Sequence, residues 1–208
     1  MDTKQLVIIG AGPYGLATAA YARRRGLDFL LLGEPMGFWK NCMPKGLLLR
    51  SPIDWHFDPL GQKTFQAYLE TRGLKERDVL PIPVELFLEY AQWFQHEYGL
   101  RPQPTIVTEL RRRRRLFEVA LANGESILSE AVVVTSGLEY FRNMPEELAG
   151  ILPSERYSHS CNMVSFDGLK GRRCLIIGGR QSALEWSALI SEQAGAEVHV
   201  VYRHDTPS

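Results

Sequence analysis

Two strand–glycine–helix units constrain this chain more than any other feature. The first reads Leu6-Val7-Ile8-Ile9-Gly10-Ala11-Gly12-Pro13-Tyr14-Gly15-Leu16-Ala17. The second reads Cys174-Leu175-Ile176-Ile177-Gly178-Gly179-Arg180-Gln181-Ser182-Ala183. A short apolar run that stops at a glycine turn and resumes as a helix is a strand buried on both faces, the signature of α/β architecture.

Each glycine of the first unit has a physical task. Gly10 lets the chain turn sharply out of the strand. Gly12 withholds a Cβ where a backbone must approach a pyrophosphate, and Gly15 lets the helix close on the sheet. Pro13 suits a first helical turn, where a missing N–H costs nothing. The helix is expected to stop near Gly26. Its unpaired N-terminal amides and its dipole favour a phosphate. A second strand follows at Phe29 to Leu32, and then Glu34, an acid placed to accept hydrogen bonds from ribose hydroxyls. Strand, glycines, helix, strand and acid in that order specify a dinucleotide site.

The second unit reads as a buried strand from Arg173 to Ile177, a helix from Ser182 to about Ala194 and a strand from Glu197 to Tyr202. It ends in Arg203 and His204 instead of a carboxylate. A cation there suits the 2′-phosphate of NADP, whereas an acid would favour NAD; a solvated arginine at a strand end is the plainer alternative. Aligned as G-x-G-x-x-A, the middle glycine is replaced by Arg180. That side chain either swings out to clamp phosphate or fills the place of the pyrophosphate. Two nucleotide fingerprints in one chain point to redox chemistry in which a nicotinamide reduces a flavin.

Between the units, residues 35 to about 63 are rich in Pro, Gly, Trp and Asp and read as a long irregular excursion of the functional kind. Arg50-Ser51-Pro52-Ile53-Asp54-Trp55 is the part expected nearest the flavin ring. Residues 64 to 72 and Val84 to Tyr98 read as helices, the latter with an apolar face of Leu86, Phe87, Tyr90, Trp93 and Phe94 that belongs to a core. A meander is expected from 105 to 135: strands at Thr105–Thr108, Arg112–Leu121 and Ile127–Thr135, with Asn123-Gly124 as a turn. The five arginines Arg111 to Arg115 lack aromatic interleaving and read as a charged edge hairpin, not a nucleic-acid patch.

Formal net charge is zero, so no global attraction to nucleic acid or to an anionic membrane is expected. No apolar run reaches the length of a bilayer span, and the N-terminus enters a strand without a signal pattern. Three scattered cysteines, Cys42, Cys161 and Cys174, fit a reducing cytoplasm. A dithiol mechanism is not expected: Cys42 has no partner five positions earlier, where Gly37 stands, and no C-x-x-C precedes the second unit. Cys42 reads as a packing residue. No Cys/His cluster has zinc spacing, and His159 reads as a turn residue or, through the resemblance below, a functional one.

The chain resembles the flavin-containing monooxygenase group of two-dinucleotide-binding-domain flavoproteins, in their N-terminal half and over essentially its full length. Gly10-Ala11-Gly12-Pro13-Tyr14-Gly15 resembles the segment that holds the flavin pyrophosphate, and Glu34 the residue on the flavin-side ribose. Gly37-Phe38-Trp39 resembles a segment that lies along the flavin. Val132-Val133-Val134-Thr135-Ser136-Gly137 resembles the stretch that closes the flavin domain. Gly178-Gly179-Arg180-Gln181-Ser182-Ala183 resembles the NADPH loop, matching at Gln181 and Ser182 but not at position 180. The group's Phe-x-Gly…His segment matches loosely at His159, because Gly150 is too far upstream.

The resemblance implies an FAD-binding domain over residues 1–165, a three-layer Rossmann-like fold with a β-meander, and an incomplete NAD(P)-binding domain over 166–208. It implies an FAD-dependent, NADPH-consuming monooxygenase that oxygenates a small organic substrate through a flavin C4a-(hydro)peroxide, with no side-chain nucleophile. The alternatives are a non-catalytic nucleotide-binding remnant and an NADPH-dependent flavin reductase or oxidase. Proteins of the group continue well beyond the length seen here. A missing C-terminal portion, or a second copy in a homo-oligomer, is therefore expected to cover the open strand edge.

Overall fold

The computed structural model describes residues 3–54 and 57–203. The elements in chain order are β1 (Thr3–Ile9), α1 (Pro13–Arg24), β2 (Phe29–Leu32), α2 (Gly37–Asn41), β3 (Leu48–Leu49), α3 (Phe65–Thr71), β4 (Ile82–Pro83), α4 (Val84–Glu97), β5 (Val107–Arg113), β6 (Leu116–Leu121), β7 (Ser126–Val134), α5 (Glu146–Ala149), β8 (Arg173–Ile177), α6 (Gln181–Ala194) and β9 (Glu197–Val201). The main sheet has the order β2-β1-β7-β6-β5. β1 lies parallel to both β2 and β7, and β5, β6 and β7 form an antiparallel meander. This is the Rossmann-like α/β fold that the first unit requires.

The period of β1 sorts its side chains onto two faces. Leu6 and Ile8 join the large core with Leu16, Ala19 and Ala20 of α1 and Tyr90 and Phe94 of α4. Val7 turns the other way and meets Leu32, Val119 and Leu121, so the meander covers the opposite face. A strand covered on both sides has to be apolar at every position, which is why Leu6 to Ile9 shows no alternation. The stripe on α4 is core, as its spacing indicates: Phe87, Tyr90 and Phe94 stack with Phe57, Phe65 and Tyr98 in edge-to-face and tilted pairs.

The meander differs in detail from the sequence expectation. The arginine run does not open a strand at Arg112. Instead β5 carries Arg111 to Arg113, and Arg114-Arg115 form the hairpin turn, with Arg114 in the left-handed region at φ 56°. β5 is the sheet edge, and its arginines are exposed. Arg113 pairs with Glu118 at 2.6 Å and Arg111 with Glu109. Charge on an edge strand discourages pairing with other chains.

The excursion after β2 is anchored by Asp58, which is 4% exposed. Its carboxylate accepts hydrogen bonds from the amides of Leu60, Gln62 and Lys63 and from the Tyr98 hydroxyl. Burial alone would raise its pKa, but these donors together outweigh burial and hold the carboxyl below its ordinary range. A carboxyl depressed in the folded state contributes stability above its unfolded pKa, about 3.9. That contribution disappears as pH falls through the folded value. Asp58→Asn is therefore expected to lower stability at neutral pH by about 2 kcal/mol and to weaken the acid-induced decline. Urea unfolding of both proteins across the acid range checks this.

The second unit forms a separate two-stranded parallel sheet, β8 with β9, in register Arg173 to Glu197 through Ile177 to Val201. Here the sequence reading needs correction. β8 is not buried on both faces: Cys174 and Ile176 pack inward, while Leu175 and Ile177 are about 60% exposed. α6 packs against this sheet, and Trp186, Leu189, Ile190 and Ala194 of α6 join the same large core as α1 and α4. Among the described residues, no helix is long and apolar enough to cross a membrane.

Candidate nucleotide-binding site

The first glycine turn is locked by a residue that is distant in sequence but follows the neighbouring strand, β7. Thr135, just past β7, donates its amide to Ile9 O at 2.7 Å, and its hydroxyl lies 2.9 Å from Gly10 O. Gly10 sits at φ 106°, and a Cβ there would fall 2.2 Å from Thr135 O. A Cβ on Gly15 would fall 1.8 Å from Gly10 O. Both positions admit glycine alone, because the obstructing atoms are backbone and cannot rotate away.

Gly12 is different. It is the N-cap of α1, with extended backbone at φ −77° and ψ −169°, and a Cβ built on it meets nothing within 4 Å. Packing therefore does not explain a glycine here. α1 has no side-chain cap and no acid in its first turn, Pro13 stands at its start, and Tyr14 is 81% exposed. An uncapped helix end next to an open Gly12 is a geometry that could hold a pyrophosphate, and the residues present fit that group.

Two further segments meet this turn. Met36, buried and left-handed at φ 55°, donates its amide to Ala11 O at 3.0 Å and so fixes the start of α2 beside the glycines. Glu34 leaves β2 on the same edge and pairs with Lys40 of α2 at 3.1 Å, with both side chains about half exposed. A ribose hydroxyl could share that carboxylate. Phe38 and Trp39 follow on α2. Trp39 is held edge-on against Phe87 at 4.9 Å, which makes it part of the core. Gly137 is exposed two residues after Thr135.

The excursion also lines a cavity. Leu49, Arg50, Ser51 and Pro52 with Glu76, Leu80 and Pro81 surround about 390 Å³. Arg50 reaches across from it to Glu185 of α6 at 2.8 Å, so the segment expected near the flavin ring also touches the second unit. Trp55, part of that expectation, lies outside the described residues, as does His204.

At the second turn, the glycine that matters sterically is Gly179. A Cβ there would fall 2.8 Å from Tyr202 Cβ. Arg180 is the N-cap of α6, exposed, with no side-chain capping bond. Gln181 and Ser182 open the helix and are exposed. Gly178 donates to Val201 O at 2.8 Å, which brings the end of β9 and the exposed Arg203 to the same corner. The structure thus gathers Gly178 to Ser182 and Arg203 at one end of β8–β9.

Sequence reasoning did not single out Thr135 as the lock on the turn or Glu185 as the partner of Arg50. The Val-Thr-Ser-Gly stretch was the only signal for the first, and a glutamate on an otherwise apolar face of α6 was the signal for the second. His159 is a turn residue: its Nδ1 accepts the Cys161 amide at 3.2 Å. Among the described residues, no group of acids, histidines and cysteines could hold a metal ion.

Known proteins share this fold. Residues 4–208 match the family model described as pyridine nucleotide-disulphide oxidoreductase. The FAD-dependent urate hydroxylase of Xanthomonas campestris pv. campestris is 28% identical, over 95% of this chain and 45% of that protein. A ferredoxin–NADP reductase of Lactococcus lactis subsp. cremoris is also 28% identical, over 98% of this chain and 56% of its own length. The flavin-containing monooxygenase from Stenotrophomonas maltophilia superposes with a TM-score of 0.79 at 25% identity, covering 100% of this chain and 60% of that one. The chain thus spans about half the length of the relatives it matches. It belongs to the pyridine nucleotide-disulphide oxidoreductase family of flavin-dependent oxidoreductases, whose cofactors are FAD and NAD(P).

Proposed function

We propose that this chain is the coenzyme-binding part of an FAD-dependent, NADPH-consuming oxidoreductase, most like a monooxygenase acting on a small organic substrate. The observation that carries this reading is Gly12: a glycine with empty space where its side chain would be, at the uncapped start of α1. In this reading the amides of the first turn of α1 hold the FAD diphosphate and Glu34 accepts from its ribose. Gly10, Pro13, Tyr14 and Gly15 shape that turn, and Phe38, Trp39 and Gly137 border it. Gly178, Gly179, Gln181 and Ser182 present the second turn to NADPH. Arg180 and Arg203 supply positive charge for its phosphates.

The redox chemistry is that of the coenzymes, a flavin reduced by a nicotinamide hydride. The protein binds, orients and excludes water. The monooxygenase assignment is supported by the likeness to the Stenotrophomonas enzyme and the urate hydroxylase. A reductase without oxygenation is the second reading, favoured by the equal identity to ferredoxin–NADP reductases. Residues 1–165 as the flavin domain and 166–208 as part of the nicotinamide domain complete the proposal.

Stopped-flow reduction of the FAD-loaded protein separates the parts of this reading. NADPH is expected to bleach the bound flavin faster than NADH, and Arg203→Ala to remove the difference. Equal reduction by both nucleotides contradicts the NADPH assignment. Oxygen consumption coupled to product then distinguishes oxygenation from plain reduction.

A further inference from the structure

The two glycine turns correspond residue by residue. β1 ends at Ile9 beside Leu32 of β2, and β8 ends at Ile177 beside Val201 of β9. Gly10 donates its amide to Leu32 O at 2.7 Å, and Gly178 donates to Val201 O at 2.8 Å. Gly12 and Arg180 are the N-caps of α1 and α6, both with extended backbone. In this match Gly179 stands at the place of Ala11, Tyr202 at that of Gly33 and Arg203 at that of Glu34.

The glycine has changed places between the units. In the first it lies past the strand, at Gly33, where a Cβ would fall 3.1 Å from Ala11 N. In the second it lies in the turn, at Gly179, where a Cβ would meet Cβ, Cγ and Cδ2 of Tyr202 at 2.8, 3.2 and 3.6 Å. The Tyr202 ring takes the space that a side chain at 179 would need. Tyr202 belongs to neither apolar core, and 37% of it stays exposed. Core packing therefore does not account for an aromatic residue beside this turn.

We propose that Tyr202 is the base platform of the second nucleotide site: its ring, backed by Gly179, stacks on the adenine of NADPH while Arg203 takes the 2′-phosphate. The inference rests on the NADPH reading of this site. A cation at the end of the second strand meets the ribose that carries the phosphate. The adenine is bonded to that same ribose, and Tyr202 is the residue next to Arg203. An aromatic face offers the base a stacking surface that contributes about tenfold or more in affinity. Gly33 offers no such surface at the first turn.

Adenosine 2′,5′-bisphosphate, which carries the base and the 2′-phosphate without the nicotinamide, is the probe. Isothermal titration of the 208-residue protein in excess FAD is expected to show binding that Tyr202→Leu weakens about tenfold or more and Tyr202→Phe less than about twofold. Added salt is expected to weaken binding to the unsubstituted protein and to Tyr202→Leu with the same slope, and to Arg203→Gln with a shallower one, because only the charge contact is screened. Saturation-transfer NMR of the unsubstituted protein, which needs no variant to fold, is expected to mark adenine H2 and H8 more strongly than the ribose protons. Unchanged or tighter binding by a folded Tyr202→Leu protein, or saturation strongest on the ribose, overturns the platform and leaves the NADPH reading standing. Absence of bisphosphate binding to the unsubstituted protein overturns both.

Discussion

Gly15→Ala is expected to destabilise the protein by about 3 kcal/mol, near the upper end of overpacking effects. The added Cβ would lie 1.8 Å from Gly10 O and 2.9 Å from Gly10 C, both backbone atoms, and 3.0 Å from Thr135 Oγ1. No rotamer relieves such a contact. α1 would have to lift away from the end of β1, exposing Leu16, Ala19 and Ala20, all of which are fully buried. The turn would also lose the Thr135 hydroxyl that now sits on Gly10 O. Urea unfolding followed by circular dichroism measures the loss. A change under about 1 kcal/mol, the scale of an ordinary Gly–Ala backbone difference, contradicts the tight packing of helix on turn.

Gly12→Val is expected to behave in the opposite way. Its backbone is in a region open to any residue, and its missing side chain faces empty space, so stability should move by less than about 1 kcal/mol. FAD affinity, by contrast, should fall at least ~100-fold, or about 2.7 kcal/mol, because the branched side chain occupies the approach of the diphosphate. These two outcomes would separate Gly15 and Gly12, three residues apart in one motif, into a folding role and a binding role. Isothermal titration with FAD, alongside the same urea series, reads both. Retained affinity in a folded Gly12→Val protein contradicts the assignment of this turn to the coenzyme.

Much of this was legible in the sequence where the signal is local. β1, the glycines of α1, β2 and the α4 stripe each announce themselves within a dozen residues, through apolar runs, turn chemistry and period. β8, α6 and β9 were placed nearly to the residue by the same means. Their burial was not. A run such as Cys174 to Ile177 reads the same whether one face or two are covered, and what covers a face is decided elsewhere in the chain.

The other omissions share that cause. Thr135 reaches Gly10 only because β7 pairs with β1, and Arg50 reaches Glu185 only because α6 lies across the excursion. No glycine or asparagine marks Arg114-Arg115 as a turn; Arg114 itself takes the left-handed backbone.

The account rests on the first glycine turn as the seat of FAD, and titration of the unsubstituted 208-residue protein with FAD tests it most directly. One equivalent is expected to bind per chain, with quenching of flavin fluorescence, and the bound flavin is expected to bleach on adding NADPH. A folded protein that leaves FAD fluorescence unchanged at saturating concentrations contradicts the account.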